Sequence, residues 1–109
     1  MRPLIVLLGL AAMVAMAPVA VQAQEYVLTI KDHKFTPSEI TIPANTKVKL
    51  VVRNDDATPE EFESKKLNRE KVIPGKSQAT INVGPLKPGD YPFVGEYNEK
   101  TAKGKIVVK

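Results

Sequence analysis

An all-β domain, a Greek-key β-sandwich of about seven short strands, is the fold that this 109-residue chain predicts. Three observations carry that expectation. Beyond residue 24 the apolar residues alternate with a period of two, as in strands with one face on a core and the other in water. Clusters of Pro, Gly, Asn and Asp punctuate the apolar runs at fairly regular spacing. No segment sustains an apolar stripe of helical period.

The elements follow in order. Tyr26, Leu28 and Ile30 alternate in a first strand, which Pro37-Ser38 separates from Ile40 and Ile42. Pro43-Ala44-Asn45 turns the chain into Val48, Leu50 and Val52, and Asn54-Asp55-Asp56 ends that strand. Thr58 to Arg69 is charged nearly all round and reads as a loop, with a turn of helix at most. After Pro74-Gly75 come Ile81 and Val83. Lys87-Pro88-Gly89-Asp90 then leads to Tyr91 and Phe93, and Ile106 and Val108 close the chain. Phe62 and Phe93 are expected in the core, and Gly75, Gly89 and Gly104 at turns. There are no internal repeats, low-complexity tracts or linkers.

The first 23 residues read differently. Arg2 precedes an apolar run from Leu4 to Ala17, Pro18 breaks it, and Val21-Gln22-Ala23 offers small residues where a signal peptidase cuts. A run shorter than ~18 residues spans a bilayer poorly, and no basic cluster follows it to stop transfer. The expected organisation is a signal peptide over 1–23 and one domain over 24–109, exported and not membrane-spanning after cleavage. The 86 residues left of 109 hold one small core and no second one. Without Arg2, the 16 Lys+Arg become 15 against 12 Asp+Glu, a net +3. Those charges are interleaved, with no platform of aromatics and arginines, so nucleic acid is not an expected partner. The chain contains no cysteine, so no disulfide staples this domain and its core and sheets must hold it alone.

Several enzyme classes are excluded by inventory. There is no cysteine nucleophile, and a Ser-His-Asp arrangement has only His33 to use, with no nucleophile motif around Ser38, Ser64 or Ser77. No phosphate-binding glycine loop and no His-x-x-x-His zinc pattern occurs.

Several stretches resemble the cupredoxin family. Phe35-Thr-Pro-Ser-Glu-Ile-Thr-Ile-Pro-Ala-Asn-Thr-Lys-Val is similar to the opening of such domains. Asn54-Asp-Asp-Ala-Thr-Pro-Glu-Glu-Phe is similar to the loop carrying the first histidine ligand. Leu86-Lys-Pro-Gly-Asp-Tyr-Pro-Phe and Lys103-Gly-Lys-Ile-Val-Val resemble the turn and strands that end the domain. By this resemblance the first histidine position falls on Glu60, the cysteine on Gly95, the second histidine on Asn98 and the methionine on Ala102. A blue-copper centre needs two histidines, a thiolate and usually an axial methionine, so no type 1 copper centre is expected. Glu60-Glu-Phe-Glu-Ser and Gly95-Glu-Tyr-Asn-x-x-Thr-Ala-x-Gly most resemble the cupredoxin-like domains of the EfeO type. That resemblance implies a periplasmic protein of an iron-uptake system. Its partners would be an inner-membrane iron permease and other periplasmic iron-uptake proteins.

The residues also speak for themselves. Glu60, Glu61 and Glu63 concentrate carboxylates on one short segment, and Glu96 and Glu99 lie in a loop that the fold brings to the same pole. His33 adds an imidazole if the Lys31–Lys34 segment reaches that pole. Carboxylates are hard donors that suit iron or cupric copper far better than monovalent copper. The expected ligands are thus Glu60, Glu63, Glu96, Glu61, His33 and Glu99, with an iron or copper ion. Glu60 and Glu63 share a site on a helical turn but not along an extended strand. Three functions stay open: a metal-binding accessory protein passing its ion to a permease, a ferrous-iron oxidase, and a metal-free interaction module.

Overall fold

The computed structural model describes residues 23–109; apart from Ala23, the expected signal peptide lies outside them. Among the described residues, no helix is long and apolar enough to cross a membrane. Nine strands are present among them: β1 (Glu25–Lys31), β2 (Lys34–Thr36), β3 (Glu39–Ile42), β4 (Val48–Asn54), β5 (Glu60–Ser64), β6 (Arg69–Ile73), β7 (Gln78–Val83), β8 (Gly89–Val94) and β9 (Lys103–Val108). A single 3-10 turn, Glu96–Asn98, separates the last two.

Two sheets form a sandwich, one in the order β2-β1-β4-β7 and the other β3-β9-β8-β5-β6. Strands distant in sequence lie side by side: β1 runs parallel to β4, and β3 parallel to β9. These crossovers are of the Greek-key kind expected from the sequence. The period-two residues face inward, as the alternation requires. Leu28, Ile30, Ile42, Leu50, Val52, Val83, Phe93, Ile106 and Val108 are all buried in one continuous core. At one end of it stand three aromatic rings. Phe35 meets Phe93 edge-on at 4.8 Å between centroids and Phe62 at 6.3 Å, while Phe62 and Phe93 tilt together at 5.1 Å. Edge-on aromatic pairs add about 0.5–1.5 kcal/mol beyond the area they bury.

Three expectations need correction. The strands exceed seven because β2, β5 and β6 carry no clear apolar alternation. The stretch from Thr58 to Arg69 is not a loop but β5, a turn and the first residue of β6, paired antiparallel from Glu60↔Ile73 to Ser64↔Arg69. Its polarity disguised it, because Glu60, Glu61 and Ser64 are buried although polar. Gly104, expected at a turn, is the second residue of β9 and lies opposite Phe93. A Cβ there would lie 2.6 Å from the Phe93 ring, so only glycine lets the ring settle on the strand.

The loop after β4 is built around one side chain. Asn54, 1% exposed, donates from Nδ2 to the carbonyls of Thr58 (2.8 Å), Ile73 (3.0 Å) and Pro74 (3.2 Å). Its Oδ1 accepts from the Asp56 amide at 2.9 Å, folding residues 54–56 into a local turn. The carboxamide thus ties the end of β4 to the start of β5 and the end of β6. Replacing Asn54 by Ala leaves these groups without their partner. Urea denaturation of Asn54→Ala should show a loss of about 2–3 kcal/mol.

Candidate metal centre

His33 reaches the pole of the sandwich by way of a hairpin. β1 and β2 pair up to Lys31↔Lys34, which leaves Asp32 and His33 as a two-residue turn. Both have positive φ, 51° and 58°, the pattern of a type I′ turn whose twist matches the strands. Left-handed backbone is uncommon for a histidine, and here a side chain holds it. Asp56 accepts from the Asp32 amide at 2.8 Å through Oδ1 and from the His33 amide at 3.1 Å through Oδ2. Asp56 is itself fixed by Asn54, so one loop clamps the other.

The His33 ring then lies against Glu60. Nδ1 is 2.5 Å from Glu60 Oε1 and 3.7 Å from Asp56 Oδ2. Glu60 opens β5 facing the same way as Phe62 and is fully buried, whereas His33 is 49% exposed. From the other loop, Asn98 at the end of the 3-10 turn donates from Nδ2 to Glu60 Oε2 at 3.1 Å. The Glu60 carboxylate pairs with the His33 ring on one oxygen and accepts from the Asn98 amide on the other. The hydrogen bond to Glu60 is the main reason the His33 imidazole holds its proton above the usual histidine pKa; the charges of Glu60 and Asp56 assist, against some desolvation. Burial works against ionisation of Asp56, but the amides of His33 and Asp32 outweigh it and bring that carboxyl below its ordinary value. Ligand atoms of His33, Asp56 and Glu60 all lie within 4.8 Å of one another.

The remaining sequence-predicted residues lie elsewhere. Because β5 is extended, Glu61 and Glu63 face away from Glu60, on the outer side of the sheet. Glu61 gathers there with Glu96 and with Glu70 of β6, again within 4.8 Å. Glu63 pairs across the hairpin with Glu70, and Glu99 is exposed along a groove that Glu63, Lys65, Lys66 and Glu96 also line. Of the six residues expected as ligands, His33 and Glu60 fall in one triad and Glu61 and Glu96 in the other, with Glu63 and Glu99 outside both. Two members, Asp56 and Glu70, were not singled out from the sequence. Asp56 stood inside a recognised turn signal, Asn54-Asp55-Asp56, adjoining the Glu60 loop. Glu70 was hidden in a charged stretch, and only strand register brings it to Glu61.

The four loop positions that resemblance aligned with copper ligands do converge. Gly95 donates to the Ala102 carbonyl at 2.8 Å, Ala102 donates to that of Asn98 at 2.7 Å, and Asn98 reaches Glu60. A Cβ on Gly95 would come within 2.9 Å of the Ala102 methyl, 3.0 Å of the Glu61 carbonyl oxygen and 3.7 Å of the Phe35 ring. Gly95 and Ala102 supply no sulfur, and the chain contains no cysteine, so the donor set does not fit type 1 copper. An imidazole and two carboxylates fit a hard or borderline cation instead.

A two-sheet Greek-key sandwich with this pole is a cupredoxin fold with a carboxylate, and no thiolate, among the positions aligned with copper ligands. The chain belongs to the cupredoxin-like domain family, whose model matches residues 4–108. An uncharacterized protein of Rickettsia prowazekii (strain Madrid E) is 45% identical over 84 residues, covering 77% of this chain and 67% of that one. Among solved structures the fold is similar to auracyanin A, a blue copper protein of Chloroflexus aurantiacus, with a TM-score of 0.70 and 13% identity over 81% of this chain and all of that one. It is also similar to the metal-binding domain, with Cu(I), of the Cu(I)-exporting P-type ATPase CopA of Streptococcus pneumoniae D39. That match has a TM-score of 0.69 and 15% identity, over 85% of this chain and 92% of that one. Amicyanin of Paracoccus versutus gives 0.62 and 19%, over 84% and 86%. At such identities the likeness is one of fold.

Glu61 has a consequence for stability. Burial, then the Glu96 carboxyl beside it and the charges of Glu70 and Glu63, push its carboxyl up to about 7 from an ordinary 4.5. A carboxyl raised in the folded state binds its proton more tightly there than in the unfolded chain. Its contribution is therefore full below about pH 4.5 and declines as pH rises to about 7. Glu61→Gln removes that decline. In chelator-treated protein, urea denaturation at stepped pH should show the variant gaining on the wild type across this window.

Proposed function

We propose that the domain is an exported metal-binding accessory protein of an iron-uptake system. It binds iron, or cupric copper in its place, at His33, Asp56 and Glu60, and passes the ion to a membrane permease. One observation carries this reading: a fully buried carboxylate, Glu60, at the loop position that resemblance aligns with a copper ligand, faces a half-exposed imidazole 2.5 Å away. A buried carboxylate is costly unless it is paired. In the metal-free protein His33 pairs with it, and the cation takes the place of the His33 proton. Asp56 supplies a third donor already oriented by two backbone amides. The exposed side of His33 leaves the ion open to exchange, which suits delivery better than storage. The motifs Glu60-Glu-Phe-Glu-Ser and Gly95-Glu-Tyr-Asn, similar to those of EfeO-type domains, favour iron as cargo, the periplasm as location and an iron permease as recipient.

Calorimetric titration of the mature protein with ferric, ferrous and cupric ions tests the site. Binding should weaken at least about tenfold in Glu60→Gln and in His33→Ala, the range that loss of even an outer-shell partner produces in metal sites. No heat with any ion, at protein well above micromolar, would leave a metal-free interaction module. Oxygen consumption with ferrous iron, corrected for spontaneous oxidation, should equal the buffer blank; a faster rate would make the protein an oxidase.

A further inference from the structure

The outer face of β5 presents a problem that the His33 site does not solve. Glu61 is 2% exposed, and its Oε1 is the buried side-chain atom among the described residues that has no hydrogen-bond partner. Buried polar atoms are almost always satisfied, and an orphaned carboxylate oxygen is among the most costly exceptions. The surroundings deepen the cost. Glu70 lies on the same face one step along β6, since it pairs with Glu63 while Glu61 pairs with Val72. Glu96 is brought over β5 by the close approach of Gly95 to the Glu61 backbone. None of Glu61, Glu70 and Glu96 takes part in an ion pair among the described residues.

We infer that Glu61, Glu70 and Glu96 form a second cation site, which takes a hard divalent ion of the calcium or manganese class through carboxylate oxygens alone. The three ligand atoms lie within 4.8 Å of one another, the span across a cation whose oxygen bonds are about 2.3–2.6 Å. Glu61 is the fixed donor, held on a central strand and covered. Glu70 and Glu96 are exposed and free to close on the ion, and Glu63 on the same face adds negative charge beside it. No nitrogen or sulfur donor belongs to this group, which sets it apart from the His33 site and favours calcium or manganese over copper. The two sites lie on opposite faces of β5 and share no ligand, so this inference stands or falls independently of the iron reading.

Manganous ion is the probe, followed by the loss of its free electron paramagnetic resonance signal when added to chelator-stripped mature protein. The wild type and His33→Ala should bind one ion with similar affinity. Glu70→Gln, a change at an exposed position, should weaken that binding at least about tenfold. Calcium added in excess should release the manganese from the wild type. Binding that survives Glu70→Gln but is lost in His33→Ala would assign the ion to the other site and overturn the inference. So would the absence of any manganese or calcium binding up to millimolar concentration.

Discussion

The pole of this sandwich depends on the buried carboxamide of Asn54. A polar side chain at the end of a core strand is tolerated only when its hydrogen-bonding capacity is used, and here donor and acceptor sides are both engaged. Through those bonds the loop between β4 and β5 becomes a defined shape. That shape places Asp56 under the β1–β2 hairpin, where it accepts from two successive amides and stabilises a left-handed turn. This chain of bonds fixes the backbone that carries His33, and the contact with Glu60 then holds its ring.

A second constraint is the pleat of β5. Two adjacent glutamates on an extended segment point to opposite sides of a sheet, so Glu60 and Glu61 are buried in different environments. Glu60 meets an imidazole and an amide. Glu61 meets other carboxylates, and the same residue type therefore has opposite electrostatic surroundings one position apart. The 3-10 turn after β8 contributes to both sides, with Asn98 reaching Glu60 and Glu96 reaching Glu61. One short turn thus supplies a neighbour to each face of β5.

Much of the sandwich was legible in the sequence. Six strands announced themselves through alternating apolar residues, and those residues, from Leu28 to Val108, form much of the core. β5 was not legible because glutamate and serine fill most of its buried positions, and β6 because Ile73 is its one buried residue. The residue types of the site were legible for the same reason that the strands were not: carboxylates clustered around Glu60 stand out in a list. Their division into two groups was invisible, since it turns on whether Thr58–Arg69 is extended or coiled. Asp56 illustrates the limit well. Its turn was plain in the sequence, but its hold on a hairpin more than twenty residues away belongs to the tertiary structure.

Tight packing at Gly95 stands in the way of a thiolate ligand there. A cysteine there would press its first side-chain carbon against the buried methyl of Ala102 and the backbone of β5. A thiolate ligand at that position would require Ala102 or the strand beside it to shift. Lengthening Ala102 toward methionine meets the same closed space from the other side. A sulfur ligand at either position therefore competes with close packing already in place.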